Sequence, residues 1–172
     1  MSSVERMAVS LRPLRRDDIH ERLGWSEYPN WARYSDFYCF SSEERLWNWC
    51  NAPDTACYAV VKEGEETTSL IGLLAVLLRG AKARASVMLR PDYLATGLGG
   101  RLILRLLVHC FVFLRVESVE AVVAKENGHM LRIARKLGAS EISGTAEACT
   151  VVLERESFMD SKWFSDRYIR RL

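Results

Sequence analysis

The residues whose types and spacing most clearly suggest a binding function are three glycines, Gly97, Gly99 and Gly100, which lie between two apolar runs. The run before them, residues 85–89, has the length of a strand, and the run after them, residues 102–114, has the length of a helix. Free backbone N–H groups and the helix dipole attract anions to such a helix start, and glycine lets the backbone approach the ligand closely. The pattern predicts a phosphate-binding turn, and a plain glycine-rich connection is the alternative.

The spacing of these glycines does not match the two commonest phosphate-binding motifs. A P-loop requires a lysine and then a serine or threonine after its last glycine, whereas Arg101 and Leu102 follow Gly100. A dinucleotide-binding G-x-G-x-x-G motif beginning at Gly97 would require glycine in place of Leu102. The pattern that fits is x-x-G-x-G at a helix start, preceded by the extended sequence LRPDY at residues 89–93.

Three segments resemble the GNAT superfamily of N-acetyltransferases over about residues 9–155. The glycine turn is similar to the acetyl-CoA pyrophosphate loop, Arg/Gln-x-x-Gly-x-Gly/Ala, although Leu94 stands where the family usually has Arg or Gln. Asn127, with Lys136-Leu137-Gly138 downstream, resembles the second motif, in the family's order and separation. The sequence LRPLRRDD at residues 11–18 resembles the opening of the ribosomal-protein N-terminal (RimJ/RimL-type) branch.

The resemblance implies an α+β GNAT fold and acetyl-CoA as the cosubstrate. The central sheet would be mixed and mostly antiparallel, with one splayed strand pair, flanking helices and a C-terminal helix. The acetyl-CoA arm would enter between the splayed strands and pair with an exposed backbone edge. The implied cofactor-binding residues are Val87, Met88, Leu89, Leu94, Ala95, Thr96, Gly97, Leu98, Gly99, Gly100 and Asn127. Asn127 is equally well placed to cap the helix that follows it.

The implied reaction is direct transfer of the acetyl group from the thioester to a primary amine, without an acetyl-cysteine intermediate. The family's tyrosine acid lies seven residues after the asparagine, and that position is Ala134 here. Glu141 is the candidate base and Ser143 the candidate acid, with Asp36, His129, Ser140 and water as further possibilities. A solvated surface role is the alternative for each side chain.

An aromatic region between residues 25 and 49 is expected to form the acceptor groove, with core packing as the alternative for most of its rings. Trp31, Tyr34 and Trp47 are the candidate acceptor-binding residues. Carboxylates are scattered through the region, which favours a cationic amine with an apolar or peptide-like body. We expect a peptide or protein α-amine or a small amino compound, because no paired carboxylates or dense acidic cleft indicate a polyamine or an aminoglycoside.

The periodicity of apolar residues, together with turn and capping residues, predicts the helices and strands that must position these groups. Strands are expected at residues 9–14, 56–62, 69–78, 85–89, 120–124 and 151–153, with another near Ile142 and a hairpin tip at residues 63–66. Helices are expected from residue 15, after residue 41 at a capping box of Ser41 and Glu44, over residues 97–114, over residues 128–137 and over residues 158–172. The chain is predicted to form one domain, residues 1–172, with a core at about residues 9–155 and a helical extension at residues 156–172.

Composition narrows the classes of partner. A net charge of +2 gives no reason to expect nucleic acid, and no run of about 18 apolar residues indicates a membrane span. Five cysteines without a CxxC motif indicate neither a metal site nor a disulfide framework, so a cytoplasmic protein is expected. A catalytically inactive acyl-CoA-binding module is one alternative function. A structural domain that forms a homodimer through residues 98–114 is another.

Overall fold

The computed structural model describes residues 8–29, 34–40, 42–63 and 68–167. Trp31, one of the three candidate acceptor-binding residues, lies outside the described residues, as do residues 64–66 of the expected hairpin tip.

The described chain contains a seven-stranded sheet in the order β1-β2-β3-β4-β5-β7-β6. Every neighbouring pair is antiparallel except β4 and β5, which are parallel, so the predicted mixed, mostly antiparallel α+β fold is confirmed. The strands are β1 (Val9–Pro13), β2 (Thr55–Glu63), β3 (Thr68–Arg79), β4 (Lys82–Leu89), β5 (Ser118–Ala124), β6 (Ser140–Gly144) and β7 (Ala148–Glu154).

The parallel strands β4 and β5 separate soon after they meet. They pair only through Lys82 with Ser118, Ala83 with Val119 and Arg84 with Glu120. Both strands then continue without pairing, β4 to Leu89 and β5 to Ala124. The predicted splayed pair is therefore present, and it leaves a gap in the sheet that opens toward the glycine turn.

Helices cover both faces of the sheet and create two apolar cores. They are α1 (Arg16–Leu23), α2 (Glu43–Cys50), α3 (Leu98–Val108), α4 (Gly128–Lys136), α5 (Arg155–Met159) and α6 (Lys162–Arg167). Residues of α3 and α5 pack in one core, and residues of α1 and α2 pack in the other. Strand β3 contributes to both because it is apolar on both faces, with Leu74 in the first core and Leu73 in the second.

Two helix predictions require correction. The helix expected over residues 97–114 ends at Val108 and continues as a π-helical turn, His109–Phe113, whose end is closed by a 3.0 Å hydrogen bond from Leu114 N–H to the His109 carbonyl. The single helix expected over residues 158–172 begins earlier and is divided into α5 and α6. Ser161 causes the break, because its hydroxyl donates to the Phe158 carbonyl at 2.6 Å and accepts from Phe164 N–H at 3.3 Å.

Candidate active site

The free edge of β4 forms one wall of the gap. Arg90 N–H donates to the Ile71 carbonyl of β3 at 2.9 Å, and antiparallel pairing alternates between bonded and non-bonded residues along a strand. The backbone groups of Val87 and Leu89 therefore face the gap, and those of Met88 face β3. Of the three residues predicted to offer backbone contacts, Val87 and Leu89 are suitably oriented. Met88 instead buries its side chain in the core beneath α1 and α2, where it is 3% exposed.

The glycine turn lies at the end of β4, at the mouth of the gap. Gly97 is the N-cap of α3 and has a left-handed backbone with φ of 83°, and Ala95 is also left-handed with φ of 58°. The Thr96 hydroxyl fixes the turn by donating to the Tyr93 carbonyl at 2.8 Å and accepting from Leu98 N–H at 3.4 Å. A Cβ on Gly97 would meet no atom within 4 Å, so open space lies beside the first turn of α3. This geometry suits a bound phosphate.

Asn127 lies beyond the end of β5, on the other side of the gap. Its side-chain oxygen accepts from Met130 N–H at 3.2 Å and caps α4, so the predicted capping role is confirmed. Its contact with acetyl-CoA stays a prediction. Helices α3 and α4 lie on the same face of the sheet, because a Cβ on Gly100 in the first turn of α3 would approach Ile133 Cδ1 in the middle of α4 to 3.5 Å.

Tyr28 connects the aromatic region to the gap. Its hydroxyl donates to the Leu89 carbonyl, which the strand alternation directs into the gap. Its ring meets Tyr38 edge-on, with centroids 6.3 Å apart. Burial raises the pKa of Tyr28, so this hydroxyl stays protonated and acts as a donor. Nothing in the sequence distinguished Tyr28 from its aromatic neighbours, because its contact with Leu89 is made by the tertiary fold.

A cavity of about 280 Å³ adjoins Tyr28 on the face covered by α1 and α2. It is lined by Arg22, Leu23, Trp25, Ser26, Glu27, Tyr28, Tyr38 and Phe40. Of the candidate acceptor-binding residues, Tyr34 donates its hydroxyl to Glu147 Oε2 in the β6–β7 turn. Trp47 is half-buried against the core beneath α1 and α2. Neither lines this cavity, so the structure separates them from it.

Asp36 begins a 3-10 helical turn, Asp36–Cys39, and forms a polar cluster with Arg84 and Ser86 of β4. Its carboxylate accepts from Arg84 Nη2 at 2.7 Å, from Arg84 Nε at 3.1 Å and from the Ser86 hydroxyl at 2.8 Å. Its side chain is 19% exposed, so the surface role expected as the alternative is wrong. A carboxylate that already accepts three hydrogen bonds and neutralises an arginine is poorly suited to remove a proton from an amine.

The candidate catalytic residues Glu141 and Ser143 lie on β6, the edge strand of the sheet. Strand β7 separates β6 from β5, which places Glu141 and Ser143 about 10 Å from the β5 backbone at normal strand spacing. The structure therefore does not bring these residues together with the residues at the gap. Desolvation and the neighbouring Glu141 carboxylate raise the pKa of Cys149, which indicates a local contact on the edge of the sheet.

Within the part of the chain that the structure describes, no group of three or more His, Cys, Asp or Glu residues is arranged to hold a metal ion. None of the described helices combines the length and apolarity needed to cross a membrane.

A sheet that opens between two parallel strands, with a glycine turn at the mouth of the opening, defines a class of acyl-CoA-dependent enzymes. The chain belongs to the acetyltransferase (GNAT) domain family, whose family model matches residues 9–140. It is therefore an acetyl-CoA-dependent N-acetyltransferase, with acetyl-CoA as the cosubstrate. A search of curated protein sequences finds no significant match.

Solved structures with the same fold include spermidine N-acetyltransferase from Vibrio cholerae in complex with CoA and spermine. That chain is 19% identical, with a TM-score of 0.70, and the match covers 88% of this chain and 98% of the other. A dodecameric form of the Vibrio cholerae enzyme matches with a TM-score of 0.69 and 17% identity, covering 88% and 96% of the two chains. A domain from Methanocaldococcus jannaschii matches at 12% identity and a TM-score of 0.68, covering 86% and 99%.

Proposed function

We propose that this N-acetyltransferase acts on a peptide α-amine or a small amino compound, as the RimJ/RimL-like opening of the sequence first indicated. The observation that carries this proposal is the position of Tyr28. It lines the cavity beneath α1 and α2, and its hydroxyl bonds the gap-facing carbonyl of Leu89. An amine in the cavity would therefore lie next to an acetyl group in the gap.

The cosubstrate arm would lie along β4, with Val87 and Leu89 as its backbone partners. Its pyrophosphate would lie against residues 94–100, where the first turn of α3 offers free N–H groups, and Asn127 would contact the arm from the other side. The neutral amine attacks the thioester carbonyl carbon, the C–N bond forms and the C–S bond breaks. A gap-facing N–H of Val87 or Leu89 is placed to stabilise the oxyanion.

Protons must leave the amine and reach the thiolate. Tyr28 lies at the edge of the gap and donates its one hydroxyl proton to the Leu89 carbonyl, so we assign its oxygen the role of a hydrogen-bond acceptor for the incoming amine. Since Glu141 and Ser143 lie two strands from β5, solvent is the simplest acceptor of the proton from the amine and the simplest donor of the proton to the thiolate. Their catalytic roles stay predictions that substitution by Gln and Ala would test.

A polyamine is a poor match for this cavity, although the structurally similar enzyme from Vibrio cholerae binds spermine. The cavity wall includes the Arg22 cation and one carboxylate, Glu27. A spermidine-like molecule carries several positive charges, and the half-buried Arg22 repels them.

The test of the proposed function measures coenzyme A release with peptides, free amino acids, polyamines and aminoglycosides as acceptors. We expect turnover with peptides or amino acids. Turnover confined to polyamines or aminoglycosides would contradict the proposal. Titration calorimetry with acetyl-CoA, performed on the same preparation, separates a failure of the acceptor assignment from a failure to bind the cosubstrate.

We also propose self-association and a cytoplasmic location. Leu98, Leu102, Leu106 and Leu107 of the expected dimer face are buried in the chain's own core. The exposed apolar residues at the end of that segment are Phe113, which is 65% exposed, and Leu114. If they form the contact, Phe113→Asp should convert an oligomer to a smaller species by light scattering.

A further inference from the structure

Arg22 is a half-buried cation on the wall of the cavity, and its charge has no carboxylate partner among the described residues. Its Nη2 donates to the Phe37 carbonyl at 3.2 Å, and its guanidinium lies over the Tyr38 ring, 6.0 Å from the centroid. Its Nε is buried without any hydrogen-bond acceptor in the described part of the chain. Burial lowers the pKa of Arg22, and the neighbouring Tyr28 and Tyr38 offset only part of this effect.

Trp25 presents a second donor of the same kind. Its indole Nε1 is also buried and has no acceptor within the described residues, and its side chain lines the same cavity. Buried donors are almost always paired in folded proteins, so two unpaired donors in side chains that line one cavity indicate an acceptor from outside the described residues. An anionic acceptor would satisfy both donors and neutralise Arg22.

The chemistry of these donors favours a carboxylate. A guanidinium pairs with carboxylates through short, charge-assisted hydrogen bonds, and an indole N–H is a donor only. Glu27 lines the same cavity and suits the ammonium group of the incoming molecule before it loses its proton. The cavity, at about 280 Å³, is small enough that a carboxylate at Arg22 and an amine near Tyr28 belong to one small molecule.

We propose that Arg22 and Trp25 bind a carboxylate of the acceptor, so that the acceptor is an α-amino acid or a comparably small amino carboxylate. This inference rests on the proposed function and narrows its substrate class. Arg22 and Trp25 are specificity-determining residues. They hold the acceptor so that its amine is directed past Tyr28 toward the gap.

The experiment compares free amino acids with their primary amides, which keep the amine and the side chain but lack the carboxylate charge. Initial rates of coenzyme A release give kcat/KM for each pair. We expect the wild-type protein to prefer the acid by about tenfold or more, the effect of a good charge-assisted contact. Arg22→Gln should remove most of this preference by raising KM for the acid, with less than about a twofold change for the amide. Trp25→Phe, which keeps an aromatic ring, should reduce the preference partially.

Arg16→Gln is the matched control, because Arg16 lies on the same helix but is mostly exposed and contacts Glu43 at the surface. It should leave the acid-to-amide ratio unchanged. Equal kcat/KM for acid and amide in the wild-type protein would overturn the inference. A wild-type protein that binds acetyl-CoA but acetylates only polyamines, or acetylates no amine, would also overturn it. Loss of acetyl-CoA binding would instead contradict the proposed function. If Arg22→Gln fails to fold, the wild-type ratio and Trp25→Phe decide the matter.

Discussion

Gly97→Asp tests the phosphate-binding turn most directly. The open space beside Gly97 accepts the new side chain without a clash, but that space is where the pyrophosphate would lie. A carboxylate about 5 Å from a phosphate charge is repelled by about 3 kcal/mol at an effective dielectric constant of 20, which corresponds to about a 100-fold loss of affinity. Calorimetry should show this increase in the dissociation constant of acetyl-CoA.

The same substitution should change stability only slightly. A non-glycine residue in the left-handed region costs about 1–2 kcal/mol, and an aspartate at the start of α3 recovers about 0.3–1 kcal/mol through the helix dipole. The melting temperature should therefore fall by no more than about 2–6 °C.

Two variants separate charge from shape and strain. Gly97→Asn adds the same volume without the charge, so it should weaken binding by only a few-fold. Gly80→Asp introduces the same left-handed strain in the β3–β4 turn, at the opposite end of β4, where a Cβ also meets no atom within 4 Å, and it should leave binding unchanged. The reasoning is wrong if Gly97→Asp binds acetyl-CoA as tightly as the parent protein, or if Gly97→Asn is equally damaging.

Three other substitutions give independent checks. Asn127→Ala removes the cap on α4 and should lower the free energy of unfolding by about 1 kcal/mol. If Asn127 also contacts the acetyl-CoA arm, the binding free energy should weaken by about 1 kcal/mol as well. Unchanged affinity by calorimetry would mean that Asn127 only caps the helix. Tyr28→Phe removes the hydroxyl at the gap and should lower kcat by about five- to tenfold; an unchanged kcat would remove Tyr28 from the mechanism. Replacing all five cysteines by Ser or Ala should keep turnover within about tenfold, because burial raises the pKa of thiols such as Cys110, to about 12, and keeps them unreactive. An acetylated cysteine detected by mass spectrometry after incubation with acetyl-CoA would contradict direct transfer.

Much of the fold could be predicted because its elements are locally encoded. The alternation of residues 9–13, the two-sided apolar character of β3 and the glycines around residue 97 each depend on a few adjacent positions. Strand order is not encoded in this way. Strand β7 lies between β5 and β6, so Glu141, close to Asn127 in sequence, lies at the far edge of the sheet.

The conformation of the glycine turn was predictable from the sequence, whereas the contacts on the other side of the gap were not. The turn at residues 94–100 is recognisable in the sequence because it contains glycines, which adopt backbone conformations that other residues rarely adopt. The contacts of Arg22, Tyr28 and the Asp36–Arg84 pair join elements that are separated in sequence. The residues next to a single arginine in a helix, or next to one tyrosine among several, do not indicate that it makes such a contact.

The pairing between β4 and β5 is short, so a cosubstrate that contacts both sides of the gap would also add to the stability of the sheet. Within the described residues, the two strands pair at three positions, and one more backbone hydrogen bond, from Glu117 N–H to the Ala81 carbonyl at 2.7 Å, joins the four-stranded and three-stranded parts of the sheet there. An arm that bonds β4 on one side and the start of α4 on the other would tie the two parts together, in the manner of an inserted strand. At a ligand concentration 100 times its dissociation constant, such binding stabilises a protein by about 2.7 kcal/mol. Acetyl-CoA would then stabilise the sheet as well as donate the acetyl group, and each release of coenzyme A would lower the stability of the sheet again.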